Sequence, residues 1–158
     1  MFRKVIAERR EPDKIIGGED DPYLKRWHIM RTPWFSIYLH QFLRSDEDRA
    51  LHDHPADSMS FIIEGSYLEW LECKTETDRV MTLTYRPRRA FIPIFRRAET
   101  MHRVQLRLDG DFKEIPVWTI FLFFRRRREW GFACPKGWVH WKDFCDPDNP
   151  GVAGRGCD

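Results

Sequence analysis

At 158 residues, with 42% hydrophobic and 15% aromatic side chains, the chain is long enough for one domain with one core and too apolar to be disordered. A net charge of +2 excludes a global basic field of the kind nucleic-acid binders carry. No apolar run approaches the ~20 residues of a membrane-spanning helix, the longest being Val117 to Phe124.

The opening stretch, MFRKVIAERREPDK, is charged throughout and lacks a signal-peptide core, so the cytoplasm is the expected location. Residues 1–22 are polar and turn-rich (EPDK, GGEDDP) and read as an arm ahead of the folded body at 23–145. That body reads as nine short β runs: Leu24–Met30, Trp34–Leu43, Met59–Gly65, Tyr67–Lys74, Arg79–Tyr85, Ala90–Phe95, His102–Leu108, Pro116–Phe124 and Glu129–Ala133. Each is rich in β-branched or aromatic residues, and the breaks carry Thr-Pro, Ser-Asp-Glu-Asp, Glu-Gly, Arg-Pro and Asp-Gly. The even spacing predicts an all-β sandwich or closed barrel. Ile62 to Tyr67 reads as a tight hairpin with Gly65 supplying positive φ. Around it Phe61, Ile63, Leu68 and Trp70 alternate with Ser60, Glu64 and Glu69, giving one core face and one face toward a cavity or solvent. A single helical turn is expected around Trp138–Phe144, and residues 146–158, rich in Pro, Gly and Asp, read as an irregular, frayed tail.

Cys73, Cys134, Cys145 and Cys157 show no CxxC spacing, and in a chain without an export signal they read as thiols rather than a disulfide framework. A zinc knuckle of Cys134, His140 and Cys145 matches no common template. The run Arg125 to Arg128 reads as a solvated strand end rather than a phosphate contact, because acids and bases nearly balance.

His52 and His54 lie two residues apart in ALHDHPADS. On an extended segment both imidazoles project to one face with Asp53 opposite, which presents two metal ligands at once. Neutral imidazole suits zinc, iron, copper, nickel and cobalt. After His54 come Pro-Ala-Asp-Ser-Met-Ser-Phe-Ile-Ile-Glu-Gly, a strand pair, Ala90-Phe91-Ile92-Pro93, and then Thr100-Met101-His102-Arg103-Val104.

This order, from Phe35 to Phe124, resembles the two motifs of the cupin superfamily: an HxH with a ligand Glu and a strand ending in Glu-Gly, then a lone His after a turn. HDHP, FRRA-x-x-x-HR and EWGF-x-CP also resemble small bacterial and phage cupins. The resemblance implies a single jelly-roll barrel with N-terminal arm and C-terminal extension, and a divalent metal inside on His52, His54 and His102. Two positions depart from the pattern. Ser58 stands where cupins place the ligand Glu, and Arg97-Ala98-Glu99-Thr100-Met101 replaces the usual Pro-x-Gly. Without that carboxylate the site is an open three-histidine centre, with Asp57 as the runner-up fourth ligand.

Similarity to three-histidine thiol and diketone dioxygenases favours Fe(II), with zinc, nickel and manganese as alternatives, and implies a dioxygenase acting on a small molecule. The rivals are a non-catalytic metal- or ligand-binding module, and an isomerase or epimerase. The last needs a general base, for which His40 is the evident choice. His40 and Tyr38 are therefore the catalytic candidates, and Ser58, Asp57 and Tyr67 the candidates for substrate or ligand-supporting contacts. Arg96 and Arg97 read as surface positions, and Arg103 faces away from the metal by alternation. The aromatic group Trp130, Phe132, Trp138, His140, Trp141 and Phe144 reads as packing of the C-terminal segment on the barrel, a dimer interface or a lid. No nucleic acid or membrane partner is expected, and a homodimer is in keeping with the family.

Overall fold

The computed structural model describes residues 6–18, 20–46, 50–73, 82–148 and 152–158. Its strands are β1 Lys14–Ile16, β2 Leu24–Arg31, β3 Phe35–Phe42, β4 Leu51–His52, β5 Ser58–Glu64 and β6 Ser66–Cys73. They continue with β7 Thr82–Arg89, β8 Pro93–Arg96, β9 His102–Leu106, β10 Val117–Phe124, β11 Gly131–Cys134 and β12 Gly137–His140. Residues 74–81, where two expected strands end and begin, lie outside the described residues. One sheet has the order β1-β2-β3-β10-β5-β8 and the other β12-β11-β4-β9-β6-β7. Within these, β3-β10-β5-β8 and β4-β9-β6-β7 interleave eight consecutive strands between two antiparallel sheets, which is the jelly-roll order. The fold is all-β, as the strand spacing implied.

Alternation along each strand decides what faces inward. Ile62 and Val117 from one sheet meet Tyr67, Val104 and Leu106 from the other, with Ile94 completing an apolar cluster between the sheets. The inward phase of β5 and β6 also carries Ser58, Ser60 and Glu69, all buried, while Phe61, Ile63, Leu68 and Trp70 sit on the opposite faces, partly exposed. On the outer face of the first sheet, Trp27, Leu39 and Trp118 pack together, the two indoles stacked 5.5 Å apart. Ile6 and Ala7 cover this cluster, and the Trp27 indole N–H donates to the Arg10 carbonyl, so the N-terminal arm is part of the packing. The arm also supplies β1, an edge strand of three residues, too short to be evident in sequence.

Three expectations change. Gly65, at φ +87°, does not close a hairpin: β5 and β6 belong to different sheets, and Gly65 is the corner where the chain crosses between them. A Cβ there would stand 3.0 Å from Val117 Cγ2, so both the turn and the packing require glycine. Trp138 to His140 form β12 rather than a helix, leaving only Trp141–Phe144 helical. Finally, Cys134 and Cys157 are not thiols but a disulfide. The tail is irregular yet anchored: Gly154 and Gly156 N–H donate to the Phe144 carbonyl, and Ala153 bridges to Cys145. Contacts between segments distant in sequence, invisible to spacing rules, bring these residues together.

Candidate metal centre

Strand β4 is only two residues long, yet it stands between β11 and β9, and the β9 pairing sets His52 directly opposite His102. The chain then continues extended, with Asp53 N–H donating to Gly131 O and His54 N–H to Ala98 O. Asp53, on the opposite face as alternation requires, is fully buried and accepts from Gly131 N, Trp138 Nε1 and Arg128. A Cβ at Gly131 would lie 2.1 Å from Val139 O, so glycine is needed for this close seam. Asp53 thereby pins the His-Asp-His segment to the β11–β12 hairpin.

Ring nitrogens of His52, His54 and His102 lie within 4.8 Å of one another, and among the described residues no fourth His, Cys, Asp or Glu joins them. His54 Nε2 and His102 Nε2 are 2.8 Å apart. That is the spacing of two ligands at right angles, each roughly 2.0–2.1 Å from one ion. Burial, followed by the crowding of His54 against the His102 and His52 rings, depresses the His54 pKa well below its ordinary value. Burial, and next the Arg96 charge, lowers His102 to about 4. Both imidazoles are therefore neutral at physiological pH, the form that ligates metals. The donor set fits a divalent ion.

Behind the histidines stand two carboxylates. Glu69, with no exposed surface, lies 3.1 Å from His102 Nδ1 and also holds Arg88 Nε at 2.6 Å and Arg96. Burial alone would raise the Glu69 pKa; the contact with His102 and the Arg96 charge outweigh it and hold the carboxyl below the usual range. An ionised Glu69 beside Nδ1 favours the Nδ1–H tautomer and leaves the Nε2 lone pair for a metal. Asp46 Oδ2 lies 3.8 Å from His52 Nδ1, and the same carboxylate accepts from Tyr23 Oη and, at 2.6 Å, Val104 N.

The three histidines border a cavity of about 380 Å³. Its walls include Phe42, Phe121, Phe123 and Phe132, and the C-terminal segment closes one side through Phe144 and Val152. Phe144 stacks on Phe132 at 3.7 Å and Trp130 on Trp141 at 5.8 Å, so this aromatic group packs on the barrel and walls the cavity.

Of the other sequence candidates, Tyr38, His40 and Tyr67 all border the cavity. His40 is buried, accepts from Arg26 Nε at 2.9 Å, and has its pKa depressed by burial and then by the Arg26 charge. Tyr67 Oη accepts from Arg96 Nη2 at 3.0 Å. Ser58 is wholly buried beside Arg96, its hydroxyl without a partner, and does not border the cavity. Asp57 is turned away: its carboxylate accepts from Ala98 N at 2.7 Å and Arg127 at 2.8 Å, so it is no fourth ligand. Arg96, expected at the surface, is 4% exposed because Glu69 and Tyr67 hold it inside. Arg103 lies over the Trp70 ring, away from the histidines. Cys134, tied to Cys157, cannot serve a zinc knuckle. In the arginine run, Arg126 pairs with Glu129, Arg127 with Asp57 and Glu99, and Arg128 with Asp53.

Sequence reasoning missed Glu69, Asp46 and Arg26. Glu69 had a signal, an acid two residues from Tyr67 and hence on the same strand face. Asp46 had none, since it sits in an acidic loop that reads as solvated.

No family model matches the sequence, and no curated protein matches it. Similar solved structures include KdgF from Halomonas sp., at 18% identity over 77% of this chain and 94% of that one, with a TM-score of 0.49. A cupin superfamily protein from Desulfitobacterium hafniense is 9% identical over 70% and 84%, with a TM-score of 0.47. Hydroxypropylphosphonic acid epoxidase from S. wedmorenis is 16% identical over 73% and 58%, with a TM-score of 0.48. The cupin resemblance of the sequence has its counterpart in this chain's own jelly-roll strand order and in the three histidines gathered at its cavity.

Proposed function

We propose that this chain is a metal-dependent enzyme of the cupin type, a non-haem Fe(II) dioxygenase acting on a small molecule. The observation that carries this reading is the convergence of three histidines, with no carboxylate among them, on a cavity large enough for a small ligand. Held by neutral ligands alone, a divalent ion would keep its full charge and open positions at which an organic substrate and dioxygen could meet.

The chain's own residues supply the rest. The Glu69 carboxylate, 3.1 Å from His102 Nδ1, places a negative charge behind that ring, and the aromatic walls exclude water from the reacting groups. Tyr67 Oη, held by Arg96, stands at the cavity as a fixed polar group. The dioxygenase reading is preferred to an isomerase because the Nε2 lone pair of His40, the base an isomerase would use, accepts from Arg26 Nε, and burial lowers that imidazole's pKa.

Elemental analysis of protein purified without chelator, followed by oxygen-electrode measurements with small organic acids and thiols, tests the proposal. Bound iron with substrate-dependent oxygen uptake supports it. Tightly held zinc with no exchangeable position sinks it.

A further inference from the structure

The cavity wall formed by β1, β2 and β3 differs from the rest in its charge. The strand register sets Lys14 opposite Arg26 and Arg26 opposite His40, and all three border the cavity. Like charges directly opposite on neighbouring strands repel, so this pairing is unfavourable unless something negative sits between them. Other cavity cations have such a partner: Arg96 pairs with Glu69, and Arg44 with Asp21 at 3.4 Å. Among the described residues no carboxylate pairs with Lys14 or Arg26.

Arg26 is nonetheless rigidly placed. Its Nε donates to His40 Nε2 at 2.9 Å, and its Cζ lies 4.8 Å from the Tyr38 ring centroid. The Tyr38 and His40 rings are themselves nearly parallel, 5.7 Å apart. This leaves the two terminal guanidinium nitrogens, and the Tyr38 hydroxyl, without hydrogen bonds among the described residues. A half-buried guanidinium held by its Nε, with its fork unused, is prepared for a bidentate planar anion. Phe121 stacks on His40 at 5.0 Å and lies 6.5 Å from His54, so this wall is one aromatic ring away from the metal ligands.

We infer that this wall is an anion subsite: Arg26, positioned by His40 and Tyr38 and assisted by Lys14, takes the carboxylate of a small, largely apolar acid. The acid's apolar body lies among Phe42, Phe121, Phe123 and Phe132. Naming this acid as the substrate rests on the proposed enzymatic reading, whereas the binding site itself needs no metal.

The test uses the full chain stripped of metal by chelator, titrated calorimetrically with benzoate and with its neutral isostere benzamide. Benzoate binds at least about ten-fold more tightly, the effect of one charge-assisted pair. Arg26→Gln abolishes this preference, and Arg26→Lys, which keeps the charge without the fork, lowers it but leaves a residue. Thermal unfolding of both variants checks that they fold, and the Lys variant carries the test if the Gln variant does not. Equal affinity for benzoate and benzamide overturns the inference. So does a wild-type preference persisting in either variant, or benzoate binding that appears only when metal is restored. No turnover is measured, so a failure of oxygen uptake and a failure of this subsite are read separately.

Discussion

Replacing Glu69 by Gln keeps the shape of a side chain with no exposed surface and removes its charge. Arg96, 4% exposed and paired with that carboxylate, becomes a buried cation without a counter-charge, and His102 Nδ1 loses the anion 3.1 Å away. Breaking a buried pair from one side costs about 3–5 kcal/mol, a large fraction of the 5–15 kcal/mol that stabilises a typical domain. Because Gln is nearly isosteric, no cavity is created and the loss is electrostatic. Urea unfolding of the metal-free protein, followed by tryptophan fluorescence, should show this loss as a lower midpoint at unchanged slope. Adding Arg96→Met to Glu69→Gln should recover more than about 1 kcal/mol, since the orphaned charge is gone. Metal affinity, read by competition with a chromophoric chelator, should fall about 10–100-fold as the negative charge beside His102 Nδ1 is removed. A cost below about 1 kcal/mol for Glu69→Gln, or no recovery in the double variant, refutes the reasoning.

His52→Ala or His102→Ala should each abolish stoichiometric metal binding while the far-ultraviolet spectrum stays that of a β protein; an ion retained by either variant places the centre elsewhere. Acidification should destabilise the metal-free protein. His102 has a folded pKa of about 4 against 6.5 unfolded, so below pH 6.5 the unfolded chain binds the extra proton and stability falls. By pH 5 this one group removes about 2 kcal/mol, and the depressed pKa values of His54 and His40 act in the same direction. A urea midpoint equal at pH 7.5 and pH 5 contradicts this. Cys157→Ser opens a loop whose ends are 23 residues apart, and the chain-entropy estimate for such a loop is about 3 kcal/mol. Urea unfolding should register that loss, and a midpoint unchanged from wild type means that the tail contributes nothing to the barrel.

What could be read in the amino-acid order was local. The alternation of β-branched and aromatic residues with turn signals marked nine of the strands. The two-residue spacing of His52 and His54 marked a candidate pair, and the resemblance of the order running through Glu64-Gly65 to His102 added the third histidine. Period-two alternation is a property of a single strand, and an HxH needs nothing else to present both rings on one face. Beyond that reach, sequence spacing misled or was silent. Gly65 reads as a hairpin because glycine reports a positive φ without reporting which sheet receives the next strand. Cys134 and Cys157 carry no pairing signal, since the returning tail alone brings them together. The polar groups that equip the cavity are a matter of tertiary structure for the same reason. Glu69, Arg96 and His102 come from three strands, and Arg26 and His40 meet only through the β2–β3 register. A charged side chain in a strand looks solvated until the fold supplies its partner or, for Arg26, withholds one. The sequence by itself determined nine of the twelve described strands and singled out three candidate histidines; the packing of two sheets decided how those histidines are gathered and what surrounds the cavity beside them.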